Sequence, residues 1–313
     1  MPNPSVRHVL IIDHRGDALA AYFAARRSDL VCRVRSATAL TPGDQEWADA
    51  VVGFSPPGSL ERSSFRWVHS TGAGVDAWLD TPSWPNGVTL TRTTGELGVR
   101  MAEYCVGHAL AVSQRIAPFY RDQQAGQWTP VEPSTVRGTT AVVLGTGSVG
   151  SAIAAGFHAV GCRTIGISRS GRPASGFDAV YPVDRLADRV VGARWLVLAA
   201  PLTPVTRQIV GAAVLAQCRD TVLINVARGG LLDTAAVLDA LRTGALAGAV
   251  LDVFDTEPLQ PDSPLWRTSG VVVTPHIAGV THVEEAGAAF LDALAHLESG
   301  RRPPSAVDPA RGY

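Results

Sequence analysis

Ten residues of this 313-residue chain, AVVLGTGSVG at Ala141–Gly150, constrain its fold more than any other segment. The first four are apolar and mostly bulky, which is typical of a buried strand. Gly145, Gly147 and Gly150 then form the pattern G-x-G-x-x-G, and the helix-compatible run SAIAAGFHAV begins directly after the last of them. A strand, a glycine-rich turn and a helix in this order predict a βα unit that holds a dinucleotide.

Each glycine of this motif has its own expected role. Gly145 permits a tight turn, Gly147 lets the backbone approach a pyrophosphate, and Gly150 allows close packing of helix on strand. The pyrophosphate would lie at the helix N-terminus, where backbone N–H groups and the helix dipole favour negative charge. Ser148 and Val149 belong to the same predicted cofactor site. The alternative interpretation is a plain glycine turn in an α/β sheet.

Short apolar runs alternate with helix-compatible segments along the chain, which indicates parallel sheets covered by helices on both faces. The strands predicted before residue 100 are His8–Ile12, Leu30–Val34, Ala50–Phe54 and Arg66–His69. The later predicted strands are Thr140–Leu144, Arg163–Ser168, Trp195–Ala199, Thr221–Asn225, Ala247–Asp252 and Val271–Thr274. The predicted fold class is therefore α/β, with doubly wound parallel sheets.

Helices are predicted between these strands and at two further places. A long helix is expected over Glu96–Ile116, where apolar residues recur at helical spacing. The last helix is expected to open at Thr281 with the capping box Thr281-x-x-Glu284 and to run to about Glu298.

The residues that follow the second strand of the dinucleotide unit indicate which cofactor is used. A site for NAD(H) would place Asp or Glu there, to bind the ribose hydroxyls. Instead the chain has Ser168, Arg169, Ser170 and Arg172, and no acidic residue until Asp178. Arginine and hydroxyl groups suit a 2′-phosphate, which a carboxylate would repel. We therefore predict a preference for NADP(H); the alternative is that Arg169 is a solvated loop residue and NAD(H) is used.

The charged residues exclude several classes of protein. All 27 basic residues are arginine, so a lysine Schiff base, a P-loop lysine and a Tyr-x-x-x-Lys reductase site are impossible. The 28 acidic residues bring the formal charge to −1. A chain so nearly neutral has no overall positive field for nucleic acid or an anionic membrane surface, and neither partner is expected.

The cysteines and the hydropathy indicate in which cellular compartment the protein is expected. The four cysteines are far apart and form no C-x-x-C pair, so no metal site is predicted. The N-terminal residues lack the pattern of a signal peptide, and no apolar run approaches the roughly 18 residues of a membrane span. A cytoplasmic location is expected.

Charged side chains follow three predicted strands in the second half of the chain. Arg228 follows one strand, Asp252 and Glu257 lie at and after the next, and His276 follows the last. The carboxyl ends of parallel strands share one edge of the sheet, where doubly wound folds bind ligands. These side chains are therefore predicted to belong to one site.

Over nearly its whole length the chain resembles D-isomer-specific 2-hydroxyacid dehydrogenases of the glyoxylate/hydroxypyruvate reductase type. The motifs that carry the resemblance are the glycine turn, STGAGVD at 70–76, MAE at 101–103, NVARG at 225–229, LDVF at 251–254, Glu257-Pro258 and TPHIAG at 274–279. The resemblance implies a Rossmann cofactor domain, residues 99–282, inserted in a flavodoxin-like substrate domain, residues 1–98 plus 283–313. It also implies a homodimer through the helix around Met101–Ile116.

The resemblance further implies hydride transfer from NADPH to a small 2-oxo acid, giving a D-2-hydroxy acid. Arg228 would bind the substrate and polarise its carbonyl, His276 would donate the proton, and Glu257 would orient His276. The remaining residues implied for the substrate are Thr71, Gly72, Ala73 and Gly74. The remaining residues implied for the cofactor are Ala200, Pro201, Val226, Ala227, Asp252 and Gly279. A turn role for Asp252 and a surface role for Glu257 are the alternatives.

A second class of function shares the same motifs. Dinucleotide-sensing corepressors of the C-terminal-binding type have this fold and these catalytic residues but little turnover. The basic segment after the second dinucleotide strand favours the enzyme. The sequence leaves open which 2-oxo acid is the substrate and in which direction the reaction runs.

Overall fold

The computed structural model describes residues 6–56, 65–80 and 84–312. The chain forms two compact units, of which the first spans Met1–Leu97 and Thr281–Tyr313. The second unit is the continuous segment Gly98–Val280. The first division, at 97/98, lies one residue before the predicted boundary at 98/99. The second, at 280/281, lies two residues before the predicted boundary at 282/283.

The first unit is built on a five-stranded parallel sheet in the order β2-β1-β3-β4-β5. Its strands are β1 (His8–Ile12), β2 (Val31–Val34), β3 (Ala50–Gly53), β4 (Trp67–Ser70) and β5 (Thr89–Arg92). Its helices are α1 (Gly16–Ala24), α2 (Pro42–Trp47), α3 (Asp76–Leu79) and the last helix of the chain, α10 (Val283–Glu298). This strand order is that of flavodoxin-like folds.

Side chains of the first sheet alternate between two cores, because successive residues of a strand point to opposite faces. Val9 and Ile11 of β1 pack with α1 and α10 on one face. Leu10 and Ile12 pack on the other face, in a cluster that includes Trp78 of α3. Burial on both faces explains why β1 reads as an unbroken apolar run.

The second unit is built on a seven-stranded parallel sheet in the order β12-β11-β10-β9-β6-β7-β8. Its strands are β6 (Thr140–Leu144), β7 (Arg163–Ser168), β8 (Ala179–Pro182), β9 (Trp195–Leu198), β10 (Thr221–Asn225), β11 (Leu246–Leu251) and β12 (Val271–Val273). Its helices are α4 (Leu97–Ser113), α5 (Ile116–Gln124), α6 (Ser148–Ala159), α7 (Leu186–Arg189), α8 (Ala212–Leu215) and α9 (Thr234–Thr243). Helix α4 starts at Leu97, the last residue of the first stretch of the first unit. This is the Rossmann order with one added edge strand, and the order reverses between β6 and β9.

The predicted strands are all present, with ends displaced by at most one residue, and the predicted α/β class is confirmed. Two strands, β5 and β8, were not predicted. Both have four residues and lie at a sheet edge, and β8 ends in Pro182. Short edge strands carry little apolar periodicity, so the hydrophobic pattern does not reveal them.

Two helix predictions need correction. The helix expected over Glu96–Ile116 ends at Ser113, and α5 begins after Arg115, whose φ is 55°. The reason is Pro118, because a proline ring in a continuous helix would clash with the carbonyl four residues earlier. The last helix is capped by His282 and not by Thr281: the carboxylate of Glu285 accepts from the backbone N–H of His282 at 3.0 Å.

Across the described ranges, no helix combines the length and the apolar character that crossing a membrane requires.

Candidate active site

The glycine turn between β6 and α6 has the geometry that a dinucleotide requires. A β-carbon at Gly150 would lie 1.9 Å from the carbonyl oxygen of Gly145, so only glycine lets the helix start against this strand. At Gly147 an added β-carbon would meet nothing within 4 Å. The close packing at Gly150 and the open space at Gly147 match the two different roles expected from the motif.

The N-terminus of α6 faces this open space without a side-chain cap. Gly147 is the N-cap residue, and no side chain accepts a hydrogen bond from the first turn. The first backbone N–H groups of a helix have no intrahelical partner, which here include those of Ser148 and Val149. Such groups, with the helix dipole, bind phosphate. The residues present therefore fit the pyrophosphate of a dinucleotide cofactor.

The basic segment after β7 is a compact turn. Ser168 Oγ accepts from Gly171 N at 3.1 Å, and Ser170 Oγ accepts from Arg172 N at 3.4 Å. Each serine hydroxyl still has its proton to donate to another acceptor. Arg169 and Arg172 have exposed side chains. The turn thus presents hydroxyl and guanidinium groups together.

The nearest acidic residue along the chain, Asp178, is held at the opposite end of β7. Its carboxylate accepts from Thr164 N at 2.7 Å and from Thr164 Oγ1 at 3.1 Å. Thr164 and Ser168 are four residues apart on the strand, a distance of about 13 Å. Asp178 therefore does not replace the acidic residue that the basic turn lacks.

Arg228 lies in a turn that Asn225 organises at the end of β10. Asn225 Oδ1 accepts from Ala227 N at 3.1 Å, and its Nδ2 donates to Arg228 O at 2.9 Å. A β-carbon at Gly229 would lie 2.1 Å from the carbonyl carbon of Phe254. Arg228 is therefore fixed beside the loop that follows β11, and its side chain is half-buried.

His276 and Glu257 are in direct contact. His276 Nδ1 lies 2.7 Å from Glu257 Oε2, and both side chains are about one-third exposed. The other carboxylate oxygen of Glu257 accepts from Phe254 N at 2.9 Å. The carboxylate is thus anchored to its own loop while it orients the imidazole.

Asp252 is buried, with 1% of its surface exposed, and holds the loop that carries His276. Its Oδ1 accepts from Ile277 N and its Oδ2 from Ala278 N, both at 2.9 Å. Thr274 Oγ1 also donates to Oδ1, at 2.5 Å. This geometry agrees with the turn interpretation of Asp252, and its contact with a cofactor stays a prediction.

The other predicted cofactor residues of the second unit lie at the same edge of its sheet, because all its strands are parallel. Ala200 and Pro201 follow β9, and Thr206 Oγ1 donates to Pro201 O at 2.7 Å. Val226 follows β10 and is 2% exposed. Gly279 ends the loop that Asp252 holds. The residues predicted for the cofactor and for proton transfer in this unit thus lie along one edge of its sheet.

The residues predicted for the substrate carboxylate, Thr71–Gly74, follow β4 in the first unit. A β-carbon at Gly72 would lie 2.7 Å from the ring of Phe54, so a side chain at this position would require that exposed ring to move. Gly72 N donates to Ser70 Oγ at 3.3 Å. The Gly72 N–H thus has a partner within its own turn, and the contact of Gly72 with a substrate stays a prediction.

Two charged residues that the sequence did not single out hold this loop. Thr71 Oγ1 donates to Asp13 Oδ2 at 2.6 Å, and Arg15 binds the same carboxylate through Nε and Nη2 at 3.0 and 3.1 Å. Burial opposes the charge, but the hydrogen bonds from Arg15 and Thr71 outweigh it and lower the pKa of Asp13 to about 2. Arg92 of β5 donates to Ala73 O at 3.3 Å.

Within the described residues, no group of three or more His, Cys, Asp or Glu side chains could hold a metal ion.

Comparison with known proteins identifies the family. Residues 106–278 match the model of the family described as D-isomer specific 2-hydroxyacid dehydrogenase, NAD binding domain. The match covers more than half of the chain and contains the glycine turn, Arg228, Glu257 and His276. The chain belongs to the D-isomer-specific 2-hydroxyacid dehydrogenase family. The resemblance inferred from the motifs and the enzyme class it implied are confirmed.

Members of this family with similar chains include enzymes of known type and solved structure. Glyoxylate/hydroxypyruvate reductase A of Serratia proteamaculans (strain 568) is 34% identical over 282 residues, which are 87% of this chain and 90% of that protein. A D-isomer specific 2-hydroxyacid dehydrogenase from Xanthobacter autotrophicus Py2, in complex with NADPH and MES, has 32% identity and a TM-score of 0.90. An NADPH-dependent glyoxylate/hydroxypyruvate reductase from Sinorhizobium meliloti, in complex with NADP and sulfate, has 29% identity and a TM-score of 0.84. Both structures match over 98% of this chain and 100% of their own.

Proposed function

We propose that this dehydrogenase family member reduces a small 2-oxo acid, of the glyoxylate or hydroxypyruvate type, with NADPH. The observation that carries the proposal is the 2.7 Å contact between His276 Nδ1 and Glu257 Oε2. It lies at the sheet edge that also bears the glycine turn and Arg228. The glyoxylate/hydroxypyruvate reductases among the relatives support the substrate class.

The contact between His276 and Glu257 decides which ring nitrogen transfers the proton. An ionised carboxylate can only accept, so Nδ1 carries a proton towards Glu257 and Nε2 is the nitrogen that exchanges one. When bound, NADPH supplies a hydride to C2 of the 2-oxo acid. His276 Nε2 then gives its proton to the carbonyl oxygen, and Glu257 stabilises the imidazolium before that transfer.

Arg228 in the second unit and the Thr71–Gly74 loop in the first unit are the other groups proposed to bind the substrate. The guanidinium of Arg228 would bind the substrate carboxylate and polarise the neighbouring carbonyl. In the loop, the backbone N–H groups of Ala73 and Gly74 are the proposed donors, since that of Gly72 binds Ser70. Asp13 and Arg15 support this loop through Thr71.

The preference for NADPH is supported by the basic turn after β7. Ser168, Arg169, Ser170 and Arg172 offer donors of the kind that a 2′-phosphate requires. Asp178 is engaged with Thr164 and brings no negative charge to the turn. Three of the structural relatives were solved with NADPH or NADP bound.

A homodimer is the proposed assembly. In the second unit, large apolar side chains are exposed on α4, on α5 and on the segment that follows them. They are Val99 (54% exposed), Leu110 (41%), Ile116 (58%), Tyr120 (62%), Trp128 (93%) and Val131 (37%). Surfaces rich in exposed apolar residues mark interfaces, and a second copy would cover this one.

The function is tested by following loss of NADPH absorbance with glyoxylate and with hydroxypyruvate. Wild type is expected to turn over both, faster with NADPH than with NADH, and His276→Ala is expected to lower kcat by about 10²–10⁴-fold. His296→Ala, a histidine on α10, is the matched control and should leave kcat unchanged. Turnover by His276→Ala at the wild-type rate would contradict the proposed mechanism. Tight NADPH binding without turnover of either acid would favour a dinucleotide sensor instead.

A further inference from the structure

A chain of hydrogen bonds in the second unit runs from helix α4 to the loop of His276, and the proposed reaction does not account for it. Tyr104 Oη lies 2.6 Å from Thr274 Oγ1. Thr274 Oγ1 in turn lies 2.5 Å from Oδ1 of the buried Asp252. The chain therefore links a helix to a strand end more than 150 residues away in sequence.

The directions of these hydrogen bonds follow from the groups involved. A carboxylate only accepts, so the single hydroxyl proton of Thr274 points to Asp252. Thr274 must then accept from Tyr104, whose phenol donates. Burial raises the pKa of Tyr104 to about 12, although the bond to Thr274 opposes this, so the phenol keeps its proton at neutral pH. Tyr104 therefore donates to Thr274, and Thr274 donates to Asp252.

Asp252, at the far end of this series of hydrogen bonds, holds the backbone conformation around His276. The carbonyl oxygen of Asp252 accepts from His276 N at 2.9 Å, and its carboxylate accepts from the next two N–H groups, of Ile277 and Ala278. His276 has φ = 55°, in the left-handed region that a residue with a β-carbon disfavours. Such a conformation persists only where surrounding bonds hold it.

We propose that Tyr104 is a positioning residue for His276, and this inference rests on the proposed role of His276 as proton donor. The phenol fixes the rotamer of Thr274, and Thr274 completes the set of donors on Asp252. Asp252 then holds the strained backbone that aims the imidazole. Without the phenol, Thr274 can rotate its hydroxyl away from Asp252. The imidazole of His276 is then aligned in a smaller fraction of the molecules.

The surroundings of Tyr104 allow its hydroxyl to be tested alone. Its ring packs against the imidazole of His108, with ring centroids 4.4 Å apart. Its neighbour Cys105 is buried in the core that α4 forms with Val250 and Ala278. Phenylalanine at position 104 keeps the ring and these contacts, and removes only the donor to Thr274.

The test compares Tyr104→Phe, Thr274→Val and Thr274→Ser, with Tyr22→Phe on α1 of the first unit as the matched control. Tyr104→Phe and Thr274→Val are expected to lower kcat by about tenfold, less than the hundredfold that a misplacement of about 1 Å can cause. The KM values for NADPH and the 2-oxo acid should stay within about twofold of wild type, since no binding group is removed. Thr274→Ser keeps the hydroxyl and should retain most of kcat, and Tyr22→Phe should leave kcat unchanged.

Two further readouts separate positioning from a general loss of structure. The primary isotope effect on kcat with 4-deuterated NADPH should rise in Tyr104→Phe, because a misaligned proton donor slows the chemical step. Amide exchange at Ile277 and Ala278 should become faster by about tenfold, while exchange in β6 stays at the wild-type rate.

An unchanged kcat and unchanged exchange in Tyr104→Phe would overturn the inference. The inference would also be overturned if kcat of Tyr104→Phe falls only in proportion to the number of sites that bind NADPH, while its isotope effect equals that of wild type. If His276→Ala retains activity, the proposed function fails; if it is inactive while Tyr104→Phe behaves as wild type, only the role of Tyr104 fails. The exchange measurement applies whichever substrate the enzyme uses.

Discussion

Two glycines of one motif are required for different physical reasons. At Gly150 an added β-carbon would overlap the Gly145 carbonyl, so the requirement comes from packing inside the protein. At Gly147 an added β-carbon meets no protein atom within 4 Å. Glycine is required there because a ligand is proposed to occupy the space. A stability measurement on the free protein would not detect this requirement.

Substitution of each glycine by alanine is expected to separate stability from binding. Gly147→Ala should leave Tm within about 1 °C of wild type but weaken NADPH binding by about tenfold or more, because the methyl group fills the space proposed for the pyrophosphate. Gly150→Ala should lower Tm by several degrees, because overpacking typically costs about 1–3 kcal/mol. Thermal unfolding and fluorescence titration with NADPH measure the two effects. Equal loss of binding and stability in Gly147→Ala would show that the space has a structural role.

The residues of the site were predictable from the sequence to different degrees. The glycines, Arg228, Glu257 and His276 stand in motifs, so their position after strands could be inferred. Tyr104 could not, because nothing in a helix sequence shows that a phenol meets a threonine 170 residues later. Asp13 follows β1 just as Arg228 follows β10, and that position was the one signal that could have drawn attention to it.

At the scale of elements, the strand that the hydrophobic pattern missed completes a buried polar network. Thr91 of β5 accepts from Trp67 Nε1 and lies 2.8 Å from Nδ1 of His69, both on β4. His69 Nε2 lies 3.0 Å from Thr93 Oγ1, which donates to Ser70 O. Buried threonines read as polar residues in the sequence, although here their hydroxyls are satisfied within the sheet.

This network suits a neutral imidazole at His69. Thr93 gives its proton to Ser70 O, so Nε2 of His69 donates to Thr93. Nδ1 then accepts from Thr91 Oγ1, for which it is a nearer acceptor, at 2.8 Å, than Val68 O at 3.4 Å. The histidine is fully buried, and this burial lowers its pKa from the ordinary 6.5 to about 3.

The first unit is therefore expected to lose stability in acid through His69. Between pH 6.5 and 3 the unfolded chain binds a proton at this residue that the folded chain does not, so stability is complete above pH 6.5 and falls below it. The slope is about 1.4 kcal/mol per pH unit, or about 3 kcal/mol between pH 7 and 4. Urea unfolding of His69→Gln, followed through tryptophan fluorescence over that range, should show a shallower dependence than wild type. His158→Gln, an exposed histidine of α6, is the control, and a slope in His69→Gln equal to that of wild type would contradict the assignment.

At the scale of the molecule, the doubly wound α/β class was the property that the sequence predicted best. Short apolar runs with a helix between them leave few arrangements, since crossovers between parallel strands are right-handed and neighbours in sequence tend to pair. The edge strands β5 and β8 were not predicted, because they carry little apolar periodicity. The split between α4 and α5 was not predicted either, because Pro118 overrides the periodicity there.

The proposed dimer makes a prediction about assembly. Leu110→Arg places a charge on the exposed apolar face of α4, where a partner would have to bury it. The dimer dissociation constant is expected to rise by about 100-fold, measured by analytical ultracentrifugation. Val191→Arg, a 61% exposed valine after α7, is the control and should not change the assembly. A wild-type chain that is monomeric at micromolar concentration would contradict the proposal itself.

The division of the first unit into two stretches of chain has a consequence for its synthesis. One face of its sheet is covered by α10, where Phe290 stacks on Trp67 with ring centroids 4.5 Å apart. The ribosome must make all of Gly98–Val280 before α10 appears. At about 5–20 residues per second this takes roughly 10–40 s, during which α1 is present on that face but the part that α10 covers stays exposed. The continuous second unit can finish folding first, although its residues leave the ribosome later than those of β1–β5.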